Sequence, residues 1–279
     1  MAGYYRKRNS MRMIGGALMI LVAILFLFPM LLVIMNSLKS AVEFASSPLA
    51  LPGSLYLGNY QYIFQEIDYA RIYWNSIVIE ILSMAGIVLV SSAAASKVAR
   101  RKGRFNSCVY YLLLLCMIIP FQARLLPLMS IVGSLKMENY LWGMSVMHIA
   151  TLSPPVFFMY AGAMKSVPVE LEEAANMHGA GPVYVFFKII LPLLVPMTMT
   201  VCVLYGLVVW NSFLLPMLML TGSQVRTIPL IMYKFFGTYG FNWVAMFAAI
   251  VVGSLPIFVV FLFLQKYVVS GVTIGGVKG

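Results

Sequence analysis

Ser166-Val-Pro-Val-Glu-Leu-Glu-Glu-Ala-Ala-Asn-Met-His-Gly-Ala-Gly-Pro182 is the stretch on which the architecture turns. Pro168 suits the first position of a helix, where a missing N–H costs nothing. Glu170, Glu172 and Glu173 follow in the early turns, where negative charge complements the macrodipole. Gly179 is a natural stop, and Pro182 opens a second helical piece that leads to Pro192. Leu171, Ala174, Ala175 and His178 share one face at i, i+3, i+4 and i+7. A helix lying on lipid would set large apolar residues against lysines. This one carries alanines, which let another surface approach closely, and three glutamates able to pair with basic residues there. The pattern is two short helices hinged at a glycine, with a face suited to docking a protein.

Around this hinge the chain is almost uncharged. Of 279 residues, 62% are hydrophobic and 10% charged, and the mean hydropathy is +0.94. A soluble domain is about one quarter charged, so the chain is an integral membrane protein. A crossing helix needs about 20 mainly apolar residues. Uncharged runs occupy 13–35, 72–96 (broken only by Glu80), 105–123, 139–164, 189–225 and 235–265. The last two each exceed one helix and are expected to hold a span plus a loop or re-entrant piece. The expected fold is all-α with six transmembrane helices. It divides into an N-terminal span at about 13–36, a five-helix core at about 72–266, the polar hinge at 166–192 and a tail at 267–279. Arg6, Lys7, Arg8 and Arg12 precede the first span as they would a secretory signal, but its apolar run is too long for a signal core and reads as a retained helix.

The net charge of +11 fits lysine and arginine held in cytoplasmic loops rather than a nucleic-acid surface. With the N-terminus inside, six spans place both termini in the cytoplasm. Of the 19 basic residues, only Lys39, Arg71, Arg124, Lys136, Arg226 and Lys234 then fall outside. The cluster from Lys97 to Arg104 is the strongest single marker of this orientation. Outside, residues 37–70 carry Pro48, Pro52 and Gly53 and are expected to form a turn and a short surface helix. Residues 221–242 suggest a loop able to fold back toward the membrane or meet an outside partner. Cys108, Cys116 and Cys202 lie in apolar runs and suggest no disulfide framework. Two distant histidines make no metal site of the usual spacing. No Gly-Lys dipeptide occurs, so a phosphate-cradling loop is excluded and the chain is not itself an ATPase. A membrane enzyme would need a cluster of nucleophile, base and metal ligands, and none is seen.

Glu173-Ala174-Ala175, three residues, Gly179, nine residues and Ile189-Ile190-Leu191-Pro192 resemble the EAA loop of ATP-binding-cassette (ABC) importer permeases. Asn36-Ser37-Leu38-Lys39, Gly58-Asn59-Tyr60, Asn75-Ser76, Trp210-Asn211 and the closing Gly-Gly-Val-Lys-Gly are similar to the carbohydrate-uptake subfamily, in particular the smaller permease of maltose-type importers. Two positions depart from the family: His178 stands where an aspartate is usual, and Ser96-Lys97-Val98-Ala99-Arg100 where an aromatic and a leucine are. The resemblance implies the type I ABC importer permease fold in a bacterial cytoplasmic membrane. It also implies two cytoplasmic ATPase subunits, which would hold the ATP and magnesium, a second permease, an extracytoplasmic solute-binding protein and a sugar substrate. Glu170, Glu173, Ala174, Ala175, His178 and Gly179 would meet the ATPase, as would the tail residues Val277, Lys278 and Gly279. Arg226, Pro229, Tyr233 and Tyr239 would face the binding protein.

For the substrate path the candidates are Glu80, Trp210 and Asn211. Sugars offer C–H faces to aromatics and hydroxyl edges to polar groups, but a tryptophan near a span end is more often an interfacial anchor. An ionisable residue inside a span is a functional candidate by default. The preferred reading of Glu80 nevertheless places it near the outer end of its helix, paired with a neighbouring helix. His148 reads as packed or hydrogen-bonded. The alternatives are an importer permease for a non-sugar solute and a stand-alone secondary transporter.

Overall fold

The computed structural model describes residues 2–100, 103–232, 236–237 and 240–276. In chain order its helices are α1 (Ala2–Ser37), α2 (Ala41–Ser46), α3 (Gly58–Glu66), α4 (Tyr69–Arg100), α5 (Arg104–Ile118), α6 (Phe121–Ser134) and α7 (Leu141–Ala163). They continue with α8 (Val169–Met177), α9 (Pro182–Val185), α10 (Leu191–Leu193), α11 (Val195–Trp210), α12 (Leu214–Met219), α13 (Ile228–Met232) and α14 (Trp243–Gly276). A two-residue antiparallel pair, β1 (Phe236–Gly237) and β2 (Gly240–Phe241), precedes α14. Four helices are individually long and apolar enough to cross a membrane, and six spans result when each of two bent pairs is taken as one.

One compact unit comprises Met1–Asp68 and Met232–Leu255. None of the apolar window of α1 is buried within the protein, as suits a helix that is hydrophobic all round. The segment after it folds back on itself through polar side chains. Asn59 Nδ2 donates to the carbonyls of Ser37 and Lys39, 2.8 Å each, and the Tyr60 and Ser37 hydroxyls lie 2.8 Å apart. Lys39 is fully buried, and its Nζ donates to Ser47 O at 2.8 Å and Pro48 O at 3.4 Å. Ser40 caps α2, its Oγ accepting from Glu43 N, while Glu43 Oε1 accepts from Gly53 N. The two short motifs 36–39 and 58–60 are thus the two halves of one fastening.

The other unit comprises Tyr69–Ile231 and Pro256–Gly279. Its core is the pair α4 and α7, with Ile79, Ile87 and Ala95 packed among Met144, Met147, Val156, Phe157 and Tyr160. Lipid tails are as apolar as side chains, so helices in a membrane associate through close packing and small residues. Gly86 is such a residue: a Cβ there would lie 2.1 Å from Ile149 Cδ1. Tyr160 Oη reaches Thr198 Oγ1 at 2.9 Å, tying α7 to α11. His148 is buried with Ser83 Oγ 3.2 Å from its Nδ1, the packed role expected for it.

The third span is shorter than its uncharged run. Ile119 is extended (φ −74°, ψ 119°), as a residue before proline prefers, and the chain turns by 109° at Pro120 into α6. That second helix, carrying Arg124 and Pro127, occupies what the charges marked as loop. The run 189–225 does hold a span plus a separate piece, α12. The run 235–265 likewise divides into the β1–β2 pair and a helix, but that helix, α14, begins at Trp243 and continues through Pro256 to Gly276, so most of the expected tail is helical; Val277, Lys278 and Gly279 lie outside the described residues. Gly86→Val should lower the thermal midpoint of the purified protein by an overpacking cost of about 1–3 kcal/mol. Combined with Ile149→Ala, it should cost less than the two single changes added together.

Candidate functional site

The hinge is built as two helices about a glycine. Pro168 is the cap rather than the first helical residue of α8, its ψ of 132° keeping it extended, and Glu170 and Glu172 occupy the first turn. At the other end Gly179 has φ +79°. Its N–H donates to Asn176 O at 2.9 Å, and Ala180 N–H donates to Ala175 O at 3.0 Å. This pair of bonds is the Schellman closure, which requires a left-handed residue where Gly179 stands. Pro182 opens α9, followed by a π turn at Phe186–Ile190, then α10 and, past a bend of 73°, α11.

The faces of α8 are distributed differently from the sequence pattern. Leu171, Ala174 and His178 are exposed together with Glu170 and Glu173, whereas Ala175 is half-buried against the core. Met177 is 88% exposed, a large apolar side chain at the rim of a small-residue face. The inward line holds Glu172, three residues before Ala175. Arg100, the last residue of α4, donates from Nε to Glu172 Oε1 at 2.8 Å and from Nη2 to Val167 O. The two side chains are only 18% and 15% exposed. The basic cluster read as an orientation marker therefore contains a specific contact to α8. Its partner lies 72 positions along the chain, too far for any local pattern to disclose.

Glu80 is not near the end of its helix. It stands eleven residues into α4, roughly 16 Å along it at 1.5 Å per residue. It faces α11, where a Cβ on Gly206 would come within 2.9 Å of its Oε1. Its Oε2 is buried without a hydrogen-bond partner among the described residues. A small pocket beside it is lined by Cys202, Gly206, Ile257 and Val260. Trp210 and Asn211 do not join this pocket. Trp210 is buried at the end of α11, and Asn211 is exposed with its amide donating to Leu207 O at 2.8 Å.

Of the residues expected to face an outside partner, Arg226 and Pro229 are half-buried, and Tyr233 and Tyr239 lie outside the described residues. The segment leading to them is held by side chains that the sequence reading had not given this role. Asn75 Nδ2 donates to Gln224 O at 2.9 Å and Arg226 O at 3.0 Å, and Ser76 Oγ accepts from Ile228 N at 3.1 Å. Asn139, in a left-handed conformation with φ 58°, accepts from Gly222 N at 2.8 Å, and its own N–H donates to Met219 O. Among the described residues no three of His, Cys, Asp or Glu converge on a metal position.

A helical chain with several apolar spans and a polar helix-glycine-helix hinge between two of them defines a multi-pass transport component. Residues 86–274 match the binding-protein-dependent transport system inner membrane component family, and the chain belongs to that family. It is 34% identical over 260 residues to the multiple sugar-binding transport system permease protein MsmG of Streptococcus mutans, covering 91% of this chain and 93% of that one. It is 32% identical to the melibiose/raffinose/stachyose import permease protein MelC of Bacillus subtilis, with 98% and 99% covered. It is 30% identical, with the same coverage, to the probable starch degradation products transport system permease protein AmyC of Thermoanaerobacterium thermosulfurigenes. Among solved structures it resembles a chain of a bacterial ABC transporter involved in import of the acidic polysaccharide alginate. That TM-score is 0.82 at 18% identity, over 94% of this chain and 98% of that one. The fold is that of a type I ABC importer permease.

Gly179→Ala would force a Cβ into the left-handed region at a cost of about 1–2 kcal/mol. Hydrogen exchange at the amides of residues 179 and 180 should accelerate roughly 5- to 30-fold, with α4 and α7 unchanged.

Proposed function

We propose that this chain is the permease subunit of an ATP-driven importer of sugars or oligosaccharides. In this reading it forms the translocation path with a second permease and receives substrate from an extracytoplasmic binding protein. It is coupled to two ATPase subunits, which hold ATP and magnesium. The observation that carries the coupling is the outward face of α8. Glu170, Glu173, Ala174, Met177 and His178 are uncovered on a helix fixed at both ends. Small residues there allow close approach, and the carboxylates can meet basic groups. The sugar assignment rests on the names of the relatives that cover nearly the whole chain.

The excess of basic residues in alternate loops supports cytoplasmic termini, which places α8 on the side where ATP is available. Closure of the ATPase pair on ATP then displaces α8. Because α8 is continuous through Gly179 and Pro182 with α9, α10 and α11, the displacement biases the spans between inward- and outward-facing arrangements. ATP contributes through its better affinity for one of the two states. Val277, Lys278 and Gly279 are proposed as further ATPase contacts. Arg226, Pro229, Tyr233 and Tyr239 are proposed for the binding protein, and Glu80, Trp210 and Asn211 for the substrate path.

Affinity purification from the native membrane should bring along an ATPase, a second permease and a solute-binding protein. Glu173→Lys should release the ATPase and reduce transport at least 10-fold while the chain remains inserted; ATPase retention with normal transport would remove the docking assignment. The recovered binding protein should rise in thermal midpoint with a sugar. A response confined to non-sugar solutes would replace the substrate class.

A further inference from the structure

α8 is joined to the rest of the chain by two covalent routes and one ionic one. Its start is reached from α7 through the short turn Met164–Ser166, and its end leads past a left-handed glycine, a π turn and a 73° bend to α11. The ionic route is the Arg100 guanidinium, which grips Glu172 at 2.8 Å and the Val167 carbonyl together. It thereby holds both the first turn of α8 and the residue just before its cap. Guanidinium is suited to this because its donors form a rigid planar fork, and the pair is largely shielded from water at 18% and 15% exposure. Arg100 is the end of an uninterrupted helix, α4. Near its other end Asn75 and Ser76 hold the 224–228 segment by three hydrogen bonds. At 1.5 Å per residue, Asn75 and Arg100 stand roughly 38 Å apart along α4.

We propose that Arg100 is a positioning residue for transport: by clasping Glu172 and Val167 it makes α4 follow α8, so that a displacement at α8 reaches the 224–228 segment through a single rigid helix. This rests on the docking role of α8 given above, and adds a non-covalent path to the covalent ones. Coupling between distant sites can travel through rigid secondary elements, and α4, fastened at both ends, is such an element.

The test uses the complete transporter in lipid nanodiscs, with its ATPase, second permease and binding protein. Arg100→Gln leaves the outward face of α8 untouched, so the ATPase should stay bound and hydrolyse ATP at its basal rate. Stimulation by the loaded binding protein should fall at least 10-fold, and transport in proteoliposomes with it. Hydrogen exchange gives the readout that a merely stabilising role would not move. Addition of a non-hydrolysable ATP analogue should still alter exchange in α8 but no longer at Ile228. Arg100→Lys, which keeps the charge without the fork, should recover part of the stimulation. If Arg100→Gln misfolds, Glu172→Gln carries the same expectation with a smaller loss. Unchanged stimulation in Arg100→Gln overturns the proposal, as does loss of the ATPase from that variant, since Arg100 would then only build the docking site. Absence of an ATPase from the wild-type complex would instead overturn the docking role of α8 itself.

Discussion

A backbone group buried away from water must find its hydrogen bond within the chain wherever the backbone leaves the helix. With only 10% of residues charged, the polar side chains are few, and several of them stand at such departures. Asn59 supplies donors to two carbonyls where α1 ends, and Asn75 does the same for the segment before α13. Asn139 accepts from the turn after α12. Lys39 is buried, and its ammonium donates to the carbonyls of Ser47 and Pro48. An unpaired buried carbonyl costs more than the hydrogen bond to it contributes. These residues are therefore best understood as the condition under which irregular backbone can exist between apolar helices.

The same constraint explains what could be read from the chain in advance. Helical spans need only a run of apolar residues, and the hinge announces itself through Pro168, its glutamates, Gly179 and Pro182. What stayed hidden depended on partners distant in sequence. Asn75 meets a carbonyl 149 positions away and Arg100 a carboxylate 72 positions away; neither asparagine nor arginine states its partner. The orientation of α8 is hidden for the same reason. Hydrophobic periodicity puts Ala175 on one face with Ala174 and His178, whereas the structure half-buries Ala175 against the core, on the side where Glu172 meets Arg100. Glu80 reads as near a helix end because its uncharged run begins only after Arg71. α4 takes in Arg71 and starts at Tyr69, and this places the acid well inside the helix. Likewise Arg124 disguised α6 as an outer loop, although Pro120 already marked its start.

In the proposed coupling role, a nine-residue helix that receives a partner and transmits its motion cannot devote all its sides to docking. In α8 the division is clear: Glu170, Glu173, Ala174 and Met177 face outward, while Glu172 and Ala175 face the chain. Arginine at the inner contact is more informative than a lysine would be. A surface ion pair contributes little, but removing one partner of a shielded pair leaves a charge that has lost both water and counter-ion. That cost opposes separation of Arg100 from Glu172, which is what the proposed link requires.

Two of the routes leaving α8 also converge. The covalent one past Gly179 enters α11 and the ionic one enters α4, and these helices pack together where Gly206 admits the carboxylate of Glu80. A larger residue at Gly206 would push the acid away, so the close approach is specific to this pair of positions. If α8 drives both helices equally, the Glu80–Gly206 contact is preserved; if the bend and π turn absorb part of the movement on the α11 side, α4 slides against α11 at that point. Glu80, whose Oε2 has no hydrogen-bond partner among the described residues, then lies at the contact that slides. The sequence suggested it for the substrate path because it is an acid inside a span; the structure adds that it sits well inside α4, at its contact with α11.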